Sequence, residues 1–314
     1  MILWTDDSIL DPRQGRGMDI VRTHSLVKRY DNHTVVDDVN LAIPEGCVYG
    51  FLGPNGSGKS TTMKLLLSLI RPTSGEVEVF GRPMNSDTRR ELLTGIGSLI
   101  ESPPGYGHLT GAENMKIVQR YLDSTDDQIT RAVATVRLQD QLNKKVKNYS
   151  LGMKQRLGIA MALAREPRLL VLDEPTNGLD PAGIEEIRAL LKHLAEHGVT
   201  VMVSSHLLGE IDKTANVLGI LSEGRLIFQG SRDQLLAAST PDVVIDILGS
   251  DNPNSTAEQQ LRDRETLRIP SVDDLHTAHV VGELVASGAG VYGVRRDEQS
   301  LDEVFMDLTS GGRL

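Results

Sequence analysis

Cysteine is almost absent from this sequence of 314 residues; Cys47 is the single one. A lone thiol excludes an internal disulfide framework and fits a reducing compartment. Because Cys47 follows the turn Pro44-Glu45-Gly46 and enters an apolar run, it reads as a small core residue. Also missing is any uninterrupted apolar run approaching the roughly 18 to 20 residues that span a bilayer. Near the N-terminus stand Asp6 and Asp7, where a signal peptide would carry basic and then apolar residues. The chain is therefore expected in the cytoplasm. An excess of positive charge is lacking too: the formal net charge is -10, which argues against a surface made for nucleic acid. What remains is an ordinary hydrophobic content of 39%, enough for one sizeable α/β domain and a small second one. Residues 1–17 show no sustained period and end in Gly15-Arg16-Gly17, which reads as a disordered leader. Patterned sequence begins at Met18, a second candidate start.

The best-marked stretch is Gly53-Pro54-Asn55-Gly56-Ser57-Gly58-Lys59-Ser60-Thr61, between an apolar run (Val48 to Leu52) and an apolar-periodic one (Met63 to Ile70). A glycine-rich loop cradles phosphate where a strand delivers it and a helix begins directly after it. Gly53, Gly56 and Gly58 let the backbone turn in on itself and aim successive N–H groups at anionic oxygens. Lys59 then adds a mobile point charge over the β- and γ-phosphates, and the Ser60 hydroxyl is placed to join the shell of a bridging Mg²⁺.

Along the chain, Ile20 to Ile43 reads as short alternating strands joined by a turn at Asp31-Asn32. Tyr30, ending the first, is either a core or edge-strand aromatic or a face on which a base stacks. Glu76 to Phe80 is an alternating strand, Pro83 to Leu93 a short helix, and Ile96 to Ile100 an apolar strand followed directly by Glu101. From about 102 to 165 the pattern is a helical insert, with Thr110/Glu113 and Thr125/Gln128 spaced as capping boxes. Leu169 to Leu172 and Val199 to Val203 are continuous apolar runs of the kind buried in a parallel sheet. The first ends in Asp173-Glu174 and the second in Ser204-Ser205-His206. Asp180 and Pro181 suit the N-cap and first position of a helix that Gly198 closes. Polar residues collected at the carboxyl ends of parallel strands mark an open α/β sheet whose ligand binds just beyond those ends.

Hydrolysis requires a positioned, partly deprotonated water and neutralised leaving phosphates. Asp173 would hold Mg²⁺ through water, with Glu174 toward the γ-phosphate as general base; the plain alternative is a carboxylate pair capping a turn. His206 reads either as a solvated loop residue or as a γ-phosphate contact that positions the attacking water.

With these residues in place, the chain resembles the ATP-binding subunit of an ABC transporter over about Asp19 to Ala238. The resemblance rests on GPNGSGKST as Walker A, YSLGMKQ as signature motif, LLVLDE as Walker B, NGLD as D-loop with Asp180, His206 as switch histidine and Tyr30 as adenine-stacking residue. It implies ATP and Mg²⁺ as cofactors and a P-loop ABC ATPase core: a mostly parallel sheet, an antiparallel β part and a helical subdomain, over 18–238. It also implies a homodimer in which each ATP lies between one P-loop and the opposite subunit's signature residues Ser150, Leu151, Gly152 and Met153. A separate transmembrane permease would dock near Glu101 to Asn114, making the chain peripheral on the inner face of the membrane.

Two motifs depart from the family pattern. Tyr149, Leu151 and Met153 replace three residues of the usual Leu-Ser-Gly-Gly-Gln, while Ser150 and Gly152, the hydroxyl and the close N–H, remain. Glu101 stands where the family carries glutamine. A carboxylate accepts hydrogen bonds and cannot donate them, so Glu101 is expected to favour metal or water over phosphate oxygens. Glu101 together with SLGMKQ is similar to exporters that protect bacteria from lantibiotics and bacitracin-like peptides.

Residues 239–314 read as a small α+β accessory domain, with strand-like runs at Val243 to Leu248, Thr266 to Ile269 and Val291 to Val294. A capping box at Ser300/Glu303 opens its last helix, and packing against another subunit is favoured over a ligand sensor. The competing class, a soluble ABC-type ATPase acting on a non-membrane partner, usually shows a long coiled coil, two cassettes or a basic surface. None is visible here.

Overall fold

A computed structural model describes residues 19–211, 214–237, 242–248, 264–269, 273–297 and 301–309. The expected leader 1–17, the candidate start at Met18, the polar stretch 249–256 and the Ser300 cap lie outside the described residues.

The chain begins with strands β1 (Asp19–Tyr30), β2 (His33–Val39), β3 (Ala42–Pro44) and β4 (Val48–Leu52), then helix α1 (Lys59–Leu66). Next come β5 (Ser74–Val79), β6 (Arg82–Pro83), α2 (Arg89–Leu92) and β7 (Ile96–Leu99). Three helices follow: α3 (Gly111–Leu122), α4 (Asp126–Thr135) and α5 (Leu151–Leu163). The first unit then closes with β8 (Leu169–Leu172), α6 (Pro181–Glu196), β9 (Thr200–Ser205), α7 (Leu208–Ile211), β10 (Val217–Ser222) and β11 (Arg225–Gly230). Compact grouping divides the chain between Gln229 and Gly230.

Two sheets organise this unit. One has the order β2-β1-β5-β6 with β3 also on β1, and its β1 pairings with β2, β3 and β5 are antiparallel. The other has the order β11-β10-β4-β9-β8-β7, with parallel pairing from β10 through β7. In that sheet β4, β8 and β9 are buried along their whole length, which is why their sequences read as continuous apolar runs rather than alternating ones. Tyr49, Phe51, Met63, Leu66, Val171 and Met202 share the core.

The helical insert contains both capping boxes expected from the sequence. Thr110 and Thr125 each accept from the N–H three residues on, and Glu113 and Gln128 reach back to the cap N–H groups. The insert is seated by a close approach of α5 to β7, since a Cβ on Gly97 would stand 2.2 Å from the Ala162 carbonyl oxygen.

Pro83 differs from expectation. It lies in β6, where Arg82 and Pro83 pair with Val79 and Glu78, and the helix begins only at Arg89. A proline suits the first helical position and an edge strand equally well, and here the free edge of β5 decides.

The second unit contains α8 (Arg232–Ala237), β12 (Asp242–Leu248), β13 (Arg264–Ile269), α9 (Asp274–Ala286), β14 (Gly290–Asp297) and α10 (Leu301–Thr309). Helix α8, expected from the sequence to close the larger domain 18–238, falls in this second unit and contacts α10. The three strands form an antiparallel sheet in the order β13-β12-β14, with Val243, Val244 and Ile245 of the middle strand buried. An Arg296–Asp274 ion pair ties α9 to β14.

Replacing Gly97 by alanine drives a methyl into the backbone of α5. Overpacking of this kind costs about 1–3 kcal/mol, so chemical denaturation of the Gly97→Ala protein is expected to show an earlier midpoint; an unchanged midpoint contradicts the packing described.

Candidate active site

Strand β4 ends at Leu52 and hands the chain to the loop 53–58, which turns straight into α1. Two glycines are required by close backbone: a Cβ would stand 2.2 Å from Leu221 O at Gly53 and 2.5 Å from Val35 O at Gly58. Gly58 is the N-cap of α1 with φ 104° and offers no side chain to the helix, so the first N–H groups are left for another acceptor. Pro54, Asn55 and Gly56 are exposed, and a Cβ on Gly56 would meet nothing within 4 Å. Beside this open ground the buried Ser57 hydroxyl has no protein partner. A concave loop with uncapped amides and an orphaned hydroxyl fits a phosphate chain.

Lys59, only 6% exposed, donates from Nζ to Gly53 O (2.8 Å) and Pro54 O (3.2 Å) and lies 3.8 Å from Glu174 Oε1. Burial lowers its pKa from the ordinary lysine value, while Glu174 and Asp173 pull it back up. Ser60 and Thr61 follow, half-buried in the first turn of α1.

The other two strand ends supply acids and a histidine. Asp173 leaves β8 buried, its Oδ1 accepting from the Ser204 hydroxyl at 2.6 Å. The same hydroxyl accepts from the Glu174 N–H at 2.9 Å, so Ser204 uses both its donor and an acceptor to brace the pair. Glu174 has φ 46°, a left-handed conformation uncommon for a residue with a Cβ. Its Oε2 accepts from Asn177 Nδ2 at 3.3 Å. His206 Nδ1 also lies 3.3 Å from Oε2 but is misaligned for a hydrogen bond, leaving that buried nitrogen without a partner. Lys59, Asp173, Glu174 and His206 are thus brought to one edge of the sheet.

Glu101 leaves β7 with φ 69° and forms an ion pair with Lys64, which lies on the last turn of α1. That contact, together with the charge of Asp173, raises the lysine's pKa. Lys64 stands four residues after Ser60, on the same side of the helix. Tyr30 is half-exposed at the end of β1, with Lys28 Nζ 4.8 Å from its ring centroid.

The signature residues are elsewhere. Ser150 is the N-cap of α5, accepting from Met153 N–H at 3.2 Å, which leaves its hydroxyl proton for a ligand. Ser150, Leu151, Gly152, Met153 and Asp180 line a cleft of about 690 Å³ that includes no residue of the loop 53–58. Asp180 uses Oδ1 to cap α6 through Gly183 N–H at 3.1 Å.

Among the described residues no group of three or more His, Cys, Asp or Glu side chains could hold a metal ion. The available oxygens, Ser60 and Asp173, suit Mg²⁺, which takes one or two protein ligands and completes its octahedron from substrate phosphates and water.

Nothing in the sequence assigns a role to Ser204 or Lys64, and Asn177 stands there only as part of the D-loop motif. Ser204 stood in view at the end of a buried run, but its partner is 31 residues away; Lys64 is 37 residues from Glu101, with no local signal.

A family model described as ABC transporter matches residues 36–177. The bacitracin transport ATP-binding protein BcrA of Bacillus licheniformis is 38% identical over 306 residues, covering 94% of this chain and 99% of its own. The lantibiotic transport ATP-binding protein SrtF of Streptococcus pyogenes is 44% identical over 214 residues, covering 68% of this chain and 92% of its own. Among solved structures, the dimeric post-hydrolysis state of the ATP-binding cassette MJ0796 bound to ADP and Pi superposes with a TM-score of 0.61 at 28% identity, over 67% of this chain and 98% of that one. With a P-loop, a braced acid pair and a histidine at adjoining strand ends, and relatives matched along almost their whole length, the chain belongs to the ATP-hydrolysing ATP-binding proteins of the ABC transporter family.

Proposed function

We propose that this chain powers a separate transmembrane permease that exports an antibiotic peptide or another hydrophobic compound, working as a head-to-tail homodimer on the inner face of the membrane. The observation that carries the dimer is the separation of the two phosphate-binding surfaces. The loop 53–58 and the cleft of Ser150 and Gly152 share no lining residue, so a second chain supplies the missing half of each site. Relatives named for bacitracin and lantibiotic transport support the cargo class. Among the described residues no helix is long and apolar enough to cross a membrane, and the translocation path is proposed to belong to another polypeptide.

Within the site, Lys59 balances charge on the β- and γ-phosphates. Glu174 accepts a proton from the attacking water, whose oxygen bonds to the γ-phosphorus as the bond to the bridging oxygen breaks, releasing ADP and phosphate. His206 orients that water and the γ-phosphate. Bound Mg²⁺ would be held by Ser60 and Asp173 and would neutralise the phosphates. The permease contact is a groove of about 450 Å³ lined by Pro104, Tyr106, Ile117, Tyr121 and Met161. Tyr106 is 56% and Tyr121 87% exposed, a degree unusual for aromatics outside an interaction surface.

Glu174→Gln is expected to bind ATP, lose turnover by about 10²- to 10⁴-fold and accumulate as a dimer in size exclusion with ATP; normal turnover contradicts the assignment of the base. Lys64→Met leaves Glu101 uncompensated beside the acids, so KM for ATP rises a few-fold, in line with the roughly 0.2–1 kcal/mol of an exposed pair. Adding Glu101→Gln to that variant restores KM, and a cycle showing no coupling refutes the pairing. Tyr121→Asp leaves basal ATP turnover intact and abolishes permease-stimulated turnover in reconstituted vesicles; full stimulation removes the groove from the docking surface.

A further inference from the structure

The end of β1 is fastened to the phosphate site from two sides. On β2, Val36 is opposite Lys28 and Thr34 is opposite Arg29, so Val35 is the extra residue of a bulge. Its carbonyl oxygen would stand 2.5 Å from a Cβ at Gly58, which sets the β1–β2 pair against the start of α1. On the other side, beyond α1, the Thr73 N–H donates to Val27 O at 2.8 Å and the Thr73 hydroxyl accepts from Arg29 N–H at 2.9 Å. Tyr30 is thus carried on backbone held to the phosphate loop, yet its own side chain is 47% exposed. A ring so exposed at a strand end is free to change rotamer unless a neighbour holds it.

Lys28 is that neighbour. Two residues apart on a strand, Lys28 and Tyr30 share a face. The half-buried lysine donates from Nζ to Arg71 O at 2.8 Å, and the same nitrogen lies 4.8 Å from the Tyr30 ring centroid, inside the roughly 6 Å reach of a cation–π contact. Its head is therefore fixed at one end by a backbone carbonyl and covers one face of the ring.

We propose that Lys28 is a positioning residue for nucleotide recognition: anchored at Arg71, its ammonium fixes the Tyr30 ring and leaves the opposite face as the platform on which the adenine of ATP stacks. The inference rests on the reading of Tyr30 as the base-stacking residue. Ordering a side chain on binding lowers affinity, and here the ring is ordered before nucleotide arrives. The ammonium also draws π density toward itself, so the opposite face is better matched to an electron-rich purine. Lys28 acts through the base alone, because the triphosphate stays with the loop 53–58 and Lys59.

The test uses full-length protein carrying Glu174→Gln, so that ATP persists. Calorimetry measures its affinity for Mg·ATP and for Mg·tripolyphosphate, which carries the phosphates and no base. Lys28→Met keeps the apolar stem and removes the charge; it is expected to weaken ATP about two- to fivefold and to leave tripolyphosphate unchanged. Lys28→Arg, whose guanidinium also stacks on an aromatic face, is expected to hold ATP affinity within about twofold. Tyr30→Ala is expected to weaken ATP about fivefold or more, and adding Lys28→Met to it to change nothing further. Unchanged ATP affinity in Lys28→Met overturns the inference. So does an equal loss for tripolyphosphate, which marks a phosphate contact or a damaged fold, and so does a further loss from Lys28→Met once the ring is gone. If Tyr30→Ala itself binds ATP as tightly as its parent, the stacking platform fails and this inference falls with it; a loss in Tyr30→Ala with none in Lys28→Met refutes the role of Lys28 alone.

Discussion

Parallel pairing of β4, β9 and β8 is the constraint on which the active site depends. Leu52 is opposite Ser205, and Leu172 is opposite Val203. The residues that follow each strand, Gly53, Asp173 and His206, are therefore delivered to one edge without any long-range steering by loops. Parallel strands run their carboxyl ends the same way, and ligands bind beyond those ends in open α/β sheets. The requirement that makes this possible is burial of the strands on both faces, met by Val171, Leu172, Val201 and Met202.

At that edge the charges are mutually dependent. Lys59 is buried enough that its cation is disfavoured, and the acids at Glu174 and Asp173 act against that loss. Ser204 holds the Asp173 carboxylate by donating and the Glu174 backbone by accepting, while the Glu174 carboxylate faces Lys59 Nζ at 3.8 Å. Glu174 is kept in a left-handed conformation, as active-site residues often are when the surrounding structure over-determines them. On the outer flank Lys64 answers the carboxylate at Glu101, which a glutamine would not require.

Much of this was legible in the sequence where the physics is local. Both threonine caps of the insert and the Asp180-Pro181 start of α6 were readable because a cap and its partner lie three residues apart. The buried strands were readable from continuous apolar runs. Pro83 was not, because its local preference serves a helix start and an edge strand alike. Ser204 and Lys64 escaped notice for another reason: their meaning depends on partners distant in sequence. The grouping of α8 with the second unit likewise reflects its contact with α10, a relation between segments far apart in the chain.

The signature cleft includes no residue of the phosphate loop, and the proposed head-to-tail pairing lets two chains complete each site. The most direct measurement is phosphate release from Mg·ATP by the purified protein over a wide range of protein concentration. The account predicts that the rate per chain climbs with concentration toward a plateau, as pairs form around ATP. Absence of phosphate release at every concentration would contradict it.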